Sequence, residues 1–273
     1  MKFGIGQSVK RVEDKDLLVG KGRYTDDELP GEGYAVAFLR SPYAHAVLTS
    51  LDISGASSAP GVIMAASHAD MAADNVGEIH CQAYVDNSDG TVVPRITKPA
   101  MIADVVRYAG DIAAMVVAET RQQAMDAIEL IEADYESMPA VCDVYAALED
   151  GAPQLYDCYP NNVVFDWACG DLDNARIKIA AAKAEGHKIV KIDVINSRLL
   201  ASALETRPVV AKPDNEKLTL WLPSQGPAPL ARQIAEALNM NDGDLRVLTG
   251  HVGGGFGYKI FLHPEQLCVA WAA

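Results

Sequence analysis

The chain has no Cys-x-x-Cys pair, and its five cysteines, Cys81, Cys142, Cys158, Cys169 and Cys268, are odd in number and widely scattered. That spacing excludes an iron–sulfur cluster held by this chain, which needs four close thiolates, and it suits a reducing compartment in which the thiols stay free and mostly buried. Any cluster belongs on another subunit. No apolar run approaches the roughly 18 residues of a bilayer span, and Met1-Lys2-Phe3-Gly4 lacks the apolar core of a signal peptide, so the expected location is cytoplasmic. Positive charge is also scarce: 23 Lys and Arg face 37 Asp and Glu, for a formal charge of −14 and a pI near 4.8. Nucleic acid binding rests on cations displacing counterions from phosphates, so DNA and RNA are excluded as expected partners. Internal repeats and low-complexity tracts are missing too.

The 273 residues are 49% hydrophobic and 22% charged, enough to bury a core in one or two domains. Tyr34 to Arg40 and Ala46 to Ile53 read as strands joined by the turn-prone Ser41-Pro42-Tyr43. The apolar run Ile112 to Ala118 suits a strand covered on both faces. Thr120-Arg121-Gln122-Gln123 reads as a capping box, followed by a helix whose Ala124, Ala127, Ile128 and Ile131 share one face. Turn residues crowd Leu148 to Pro153 and Tyr159 to Asn162, which marks a linker. Beyond it, Val190, Ile192 and Val194 alternate with polar residues, as do Leu218, Leu220 and Leu222, so both stretches are predicted to be half-buried strands. Pro227 and Pro229 can open a helix with a stripe of Leu230, Ile234, Ala237 and Leu238.

The densest chemical signal is His251-Val252-Gly253-Gly254-Gly255-Phe256-Gly257-Tyr258-Lys259, a glycine loop between a predicted strand, 244–249, and a predicted helix from Pro264 to Ala273. Glycines there let backbone N–H groups approach a bulky anionic ligand. A Walker loop fits badly, because Tyr258 separates Gly257 from Lys259 and Ile260 follows. A dinucleotide fingerprint fits badly as well, because Tyr258 occupies the position its last glycine needs. Tight ATP or NAD binding is therefore not expected. A second segment, Trp221-Leu222-Pro223-Ser224-Gln225-Gly226-Pro227, ends a strand and offers an amide just before the next helix.

Together the two segments resemble the molybdenum hydroxylases, the xanthine dehydrogenase and aldehyde oxidase family, and most nearly a carbon monoxide dehydrogenase-like large subunit. The similarity begins at Gly6-Gln7-Ser8-Val9-Lys10-Arg11-Val12-Glu13-Asp14. It continues through Gly20-Lys21-Gly22-Arg23-Tyr24-Thr25-Asp26-Asp27, Arg40-Ser41-Pro42-Tyr43-Ala44-His45-Ala46, Tyr108-Ala109-Gly110-Asp111, Asp134 to Val141 and Leu204-Glu205-Thr206-Arg207. Asp111 stands where proline is usual, and Ile177 to Gly186 departs as an alanine- and lysine-rich helix.

The resemblance implies an α+β chain: an N-terminal segment 1–19, an α/β hammerhead domain at 20–145, a linker at 146–165 and the first part of a molybdopterin-binding domain at 166–273. It implies an oxidoreductase acting on carbon monoxide, an aldehyde or an N-heterocycle. The implied cofactor is molybdenum–molybdopterin in the cytosine dinucleotide form, with electrons passing to 2Fe–2S and FAD groups on partner subunits. By the same resemblance Gln225 is expected to carry the catalytic role and Gln225, Gly254, Gly255, Phe256 and Gly257 to bind the cofactor, with no residue of the chain ligating the metal directly. The family's base is a glutamate near the end of a longer subunit. The resemblance thus implies that this is the N-terminal part of that subunit, cut or split, and inactive alone. The alternative is a non-catalytic assembly module.

Other residues carry simpler expectations. Lys259 either balances anionic charge or is solvated, and Glu205 next to Arg207 either lines the cofactor cavity or, the favoured reading, forms a structural ion pair. His263-Pro264-Glu265 suits a helix N-terminus better than a metal site. His45, His68, His80 and His187 show no pairing, and Asp26-Asp27-Glu28 reads as a solvated acidic turn.

Overall fold

A computed structural model describes residues 6–28, 33–83, 85–215, 217–241 and 243–273; the start of the 1–19 segment lies outside them. The chain is α+β and divides into two compact units. The larger gathers the described residues up to Ile79 with Lys98–Glu136 and Ser202–Ala273, and the smaller holds His80–Thr97 and Ser137–Ala201.

At the centre of the larger unit is the strand Ile112–Ala118, buried along its whole length. It pairs antiparallel with Ala35–Arg40 on one side and Val62–Ser67 on the other. Its residues have sheet neighbours laterally and side-chain layers above and below, which is why the sequence there is continuously apolar. The helix Arg121–Ile128 follows and buries Ala124 and Ala127. Its cap is only half of the predicted box: Thr120 Oγ1 accepts from the Gln123 N–H at 3.2 Å, while the Gln123 side chain turns to the Thr120 hydroxyl and not to its amide. Ala46–Asp52 lies in a second sheet between Val105–Val106 and Glu132–Ser137.

The third sheet positions the site. Lys217–Trp221 runs antiparallel to Val210–Asp214 and parallel to Leu245–Leu248. Parallel neighbours require a crossover, and the helix Pro227–Ala237 supplies it with Leu230 and Ile234 fully buried against the sheet. Leu218, Leu220, Leu222, Leu230, Ile234 and Leu267 join Ile112 and Met115 in one hydrophobic core. This shared core explains why 202–273 groups with the sheet around Ile112–Ala118 and not with the residues just before it.

The smaller unit is held by the buried Tyr159, whose hydroxyl donates to Pro94 O, and by Asn87, whose Oδ1 accepts from the Asp166 N–H at 2.8 Å. Its helix Leu172–Ala184 has Asp171 as N-cap and buries no residue. The expected strand around Val190–Val194 does not form. Residues 187–200 have no regular structure, and Val190, Ile192 and Val194 are exposed because no strand lies beside them to complete a ladder.

The cysteines are free, but four of the five are exposed, contrary to expectation. Only Cys268 is buried, and burial pushes its thiol up to about 12. No helix among the described residues is long and apolar enough to cross a membrane.

Candidate functional site

Because Lys217–Trp221 and Leu245–Leu248 are adjacent and parallel, the segments leaving their carboxyl ends emerge side by side. Gln225 leaves the first and the glycine loop leaves the second, a place where open α/β sheets bind ligands. The two segments touch. Gln225 Oε1 accepts from the Gly257 N–H at 3.0 Å, and the Gln225 N–H donates to Lys259 O, also at 3.0 Å. Since Gly257 presents a donor, the amide must turn its oxygen to the loop, which assigns the flip and leaves the Nε2 hydrogens facing away from that contact.

The loop is an arch whose glycines are needed for contact distance. A Cβ on Gly255 would stand 2.5 Å from Gln225 Cδ, and one on Gly253 would stand 2.5 Å from Glu205 Cβ. Gly254 and Gly257 have φ of +105° and +87°, and Phe256 itself sits at φ +50° with its ring exposed. Among the described residues the N–H groups of Gly254, Gly255 and Phe256 meet no acceptor, which leaves three unpaired backbone donors at the crest of the arch. The five residues expected at the cofactor thus form one accessible surface, with the amide of Gln225 beside the bare backbone.

Lys259 overturns the solvated-loop expectation. Its side chain is fully buried, and Nζ donates to Glu205 O at 2.8 Å and lies 3.2 Å from Glu205 Oε2. Glu205 therefore does not pair with Arg207. The chain bends at Leu204 and Glu205, which separates the two side chains, and Arg207 turns to Glu265 at 3.7 Å and to His263. Glu265 also pairs with Arg40 at 2.7 Å. Burial by itself opposes the Glu265 charge, but its own backbone N–H, Arg40 and Arg207 outweigh that and hold the carboxyl below its ordinary range.

His263 precedes the helix Pro264–Ala272, as the sequence suggests, and Gln266 Oε1 accepts its N–H. Arg207 Nη1 donates to His263 Nδ1 at 2.6 Å, while Nε2 is 2.6 Å from Tyr258 O, an arrangement that a neutral ring with its proton on Nε2 satisfies. Burial pushes the imidazole pKa down; the Tyr258 carbonyl opposes this and the Arg207 charge adds to it. Lys98 Nζ donates to Tyr108 Oη at 2.9 Å, and burial lowers the lysine pKa and raises that of the phenol. Asp111 is accommodated in place of proline: it is buried, and its carbonyl accepts the Ser41 N–H at 2.8 Å.

Among the described residues no group of three His, Cys, Asp or Glu could hold a metal ion. His187 is not isolated, since Nε2 lies 3.4 Å from Glu185, and His45 is buried with a partner. The 25–28 turn is tied locally, with Asp27 accepting from the Tyr24 N–H and Glu28 paired to Arg23 at 2.9 Å.

Comparison with known proteins agrees with this architecture. Residues 19–139 match the model of the aldehyde oxidase and xanthine dehydrogenase a/b hammerhead domain, and residues 155–273 match the molybdopterin cofactor-binding domain. The chain is 31% identical over 98% of its length to the nicotine 6-hydroxylase large subunit of Paenarthrobacter nicotinovorans, covering 32% of it. It is 33% identical over 99% of its length to the carbon monoxide dehydrogenase large chain of Afipia carboxidovorans, covering 33% of it. The crystal structure of quinoline 2-oxidoreductase from Pseudomonas putida 86 matches all of this chain and 33% of its own, with a TM-score of 0.82 and 34% identity. The chain thus spans about a third of the length of each of these three relatives.

Proposed function

This chain belongs to the aldehyde oxidase and xanthine dehydrogenase family of molybdenum hydroxylases, and we propose that it forms part of a large subunit in which Gln225 and the 253–257 arch face a molybdenum–pterin cofactor. The observation that carries this reading is the pairing of Gln225 Oε1 with the Gly257 N–H. It turns the Nε2 donors away from the loop, where they can meet an oxygen ligand. The residues suit such a group: the donors at the crest complement anionic oxygen, and Gly255 keeps clear the space that Gln225 occupies.

When bound, the cofactor supplies insertion of an oxygen into an electron-poor carbon and acceptance of two electrons. The chain's own part is to bind and orient. Gln225 would donate without adding negative charge, the N–H groups of Gly254, Gly255 and Phe256 would offer fixed dipoles, and the exposed Phe256 ring would offer an apolar surface to the group.

The proposal includes the cytosine dinucleotide form of the cofactor, iron–sulfur and FAD partner subunits, the rest of a large subunit, and a cytoplasmic location. Carbon monoxide, an aldehyde or an N-heterocycle is the substrate class. The proposal also takes the chain as two domains, 20–145 and 166–273, joined by a linker at 146–165.

The test is to co-express the chain with a polypeptide supplying the rest of the large subunit and with both electron-transfer subunits. Bound molybdenum together with substrate-dependent dye reduction, both lost in Q225A, supports the enzyme. A stable complex without turnover favours the assembly module instead.

A further inference from the structure

We infer that Glu205 and Lys259 are a positioning pair that sets the shape of the glycine arch and its distance from Gln225. The inference rests on the reading that the arch faces the cofactor, but its geometry stands in the chain alone.

Lys259 is joined to both walls of the site. Its carbonyl accepts the Gln225 N–H at 3.0 Å, which holds the backbone behind the amide. Its Nζ, with no exposed side-chain surface, reaches Glu205 at both the carbonyl and the carboxylate. Glu205 in turn grips the start of the arch: Oε2 accepts the Gly253 N–H at 2.8 Å, and the Glu205 N–H donates to Gly253 O at 3.2 Å. The other carboxylate oxygen accepts the Thr25 N–H at 3.3 Å. The adjoining segments are laced as well, since Arg23 N donates to His251 Nδ1 and the His251 N–H to Arg23 O.

This arrangement separates two roles for the lysine. A counter-ion for a bound anion would point its ammonium to the open face. Lys259 instead buries it and spends its donors on Glu205, so it acts through the carboxylate. Burying two charges makes sense only when each satisfies the other, and removing either leaves its partner unpaired. The pair fixes both ends of a glycine-rich segment that has little intrinsic preference for one conformation.

Amide hydrogen exchange of the intact chain tests this, with K259M, E205Q and E205D compared with wild type. E205D keeps the charge and shortens the reach by one methylene, so it provides a well-folded variant if the other two unfold. The expected result is exchange at least tenfold faster at Gly253 and Gly257, the two arch amides that have acceptors, in each folded variant, with the Ile112–Ala118 strand unchanged. Unchanged exchange at Gly253 and Gly257 in folded E205D would overturn the inference. In the complete complex, the same variants should retain less molybdenum–pterin. A loosened arch that still retained cofactor in full would count against the cofactor-facing reading and leave the positioning pair standing.

Discussion

Two stretches of this chain carry the same alternation of apolar and polar residues and meet opposite fates. Leu218, Leu220 and Leu222 are buried to 6%, 0% and 0% exposure, whereas Val190, Ile192 and Val194 are 68%, 76% and 76% exposed. The first stretch has Val210–Asp214 on one side, Leu245–Leu248 on the other and the Pro227–Ala237 helix across its face. The second has none of these, and from Asp171 to Leu200 every residue except Ala182 is exposed. A period of two marks a surface that can be half covered; whether it becomes a strand depends on a neighbour being there to cover it. The contrast extends to function, because the residues argued to face the cofactor are pinned by buried contacts while 171–200 offers an uncommitted apolar surface.

If that contrast is right, substitutions in the pinned region should be costly and those in the exposed stretch nearly silent. The largest effect is expected for K259M, which strands the Glu205 carboxylate in a buried setting. Denaturant unfolding should show a loss of about 3–5 kcal/mol, and a loss below roughly 1 kcal/mol, the range of an exposed pair, would erase the distinction between the regions.

G255A comes next, because its methyl group would meet Gln225 at 2.5 Å. Overpacking of this kind costs about 1–3 kcal/mol, so thermal unfolding should move to lower temperature and the Gly257 amide resonance should shift as the Gln225 contact is displaced.

Acidity should act on the pinned region in a defined direction. The folded-state pKa values of His263 and Glu265 are both depressed, so the unfolded chain binds more protons and stability falls as pH drops. The His263 contribution is present above the ordinary imidazole value of about 6.5 and the Glu265 contribution above about 4.3, the unfolded references. H263Q should abolish the loss that begins near the imidazole value and leave the one at lower pH. A slope unchanged in H263Q would place that titration elsewhere.

The smallest effect is expected for I192D with V194D. These side chains cover nothing in the chain alone, so unfolding free energy should change by less than about 0.5 kcal/mol. A large loss would mean that the exposed stretch packs within the chain after all.

Much of the fold was legible because it follows from short-range pattern. The continuous apolar run at Ile112–Ala118, the stripe on Pro227–Ala237 and the glycine loop between strand and helix all announce themselves locally. The meeting of Gln225 with the arch was legible through family resemblance and follows from two parallel strands ending side by side. Partner choice among charges was not legible. Glu205 and Arg207 are close in sequence, yet a bend separates them, and their partners Lys259 and Glu265 lie far along the chain. The signal that could have flagged Lys259 is its place directly after the glycine run, where the returning chain passes Glu205. The exposed Val190–Val194 segment failed for the complementary reason, since periodicity names a face and not its occupant.

The most direct test of the central claim is hydrogen–deuterium exchange of peptides covering Gln225 and residues 251–259 in the assembled complex, with and without bound molybdenum–pterin. Slowed exchange at Gly254, Gly255 and Phe256 on loading, with little change at the already paired Gly253, is the predicted result. Equal exchange across the arch in both states, with protection appearing only elsewhere in the complex, would contradict the account.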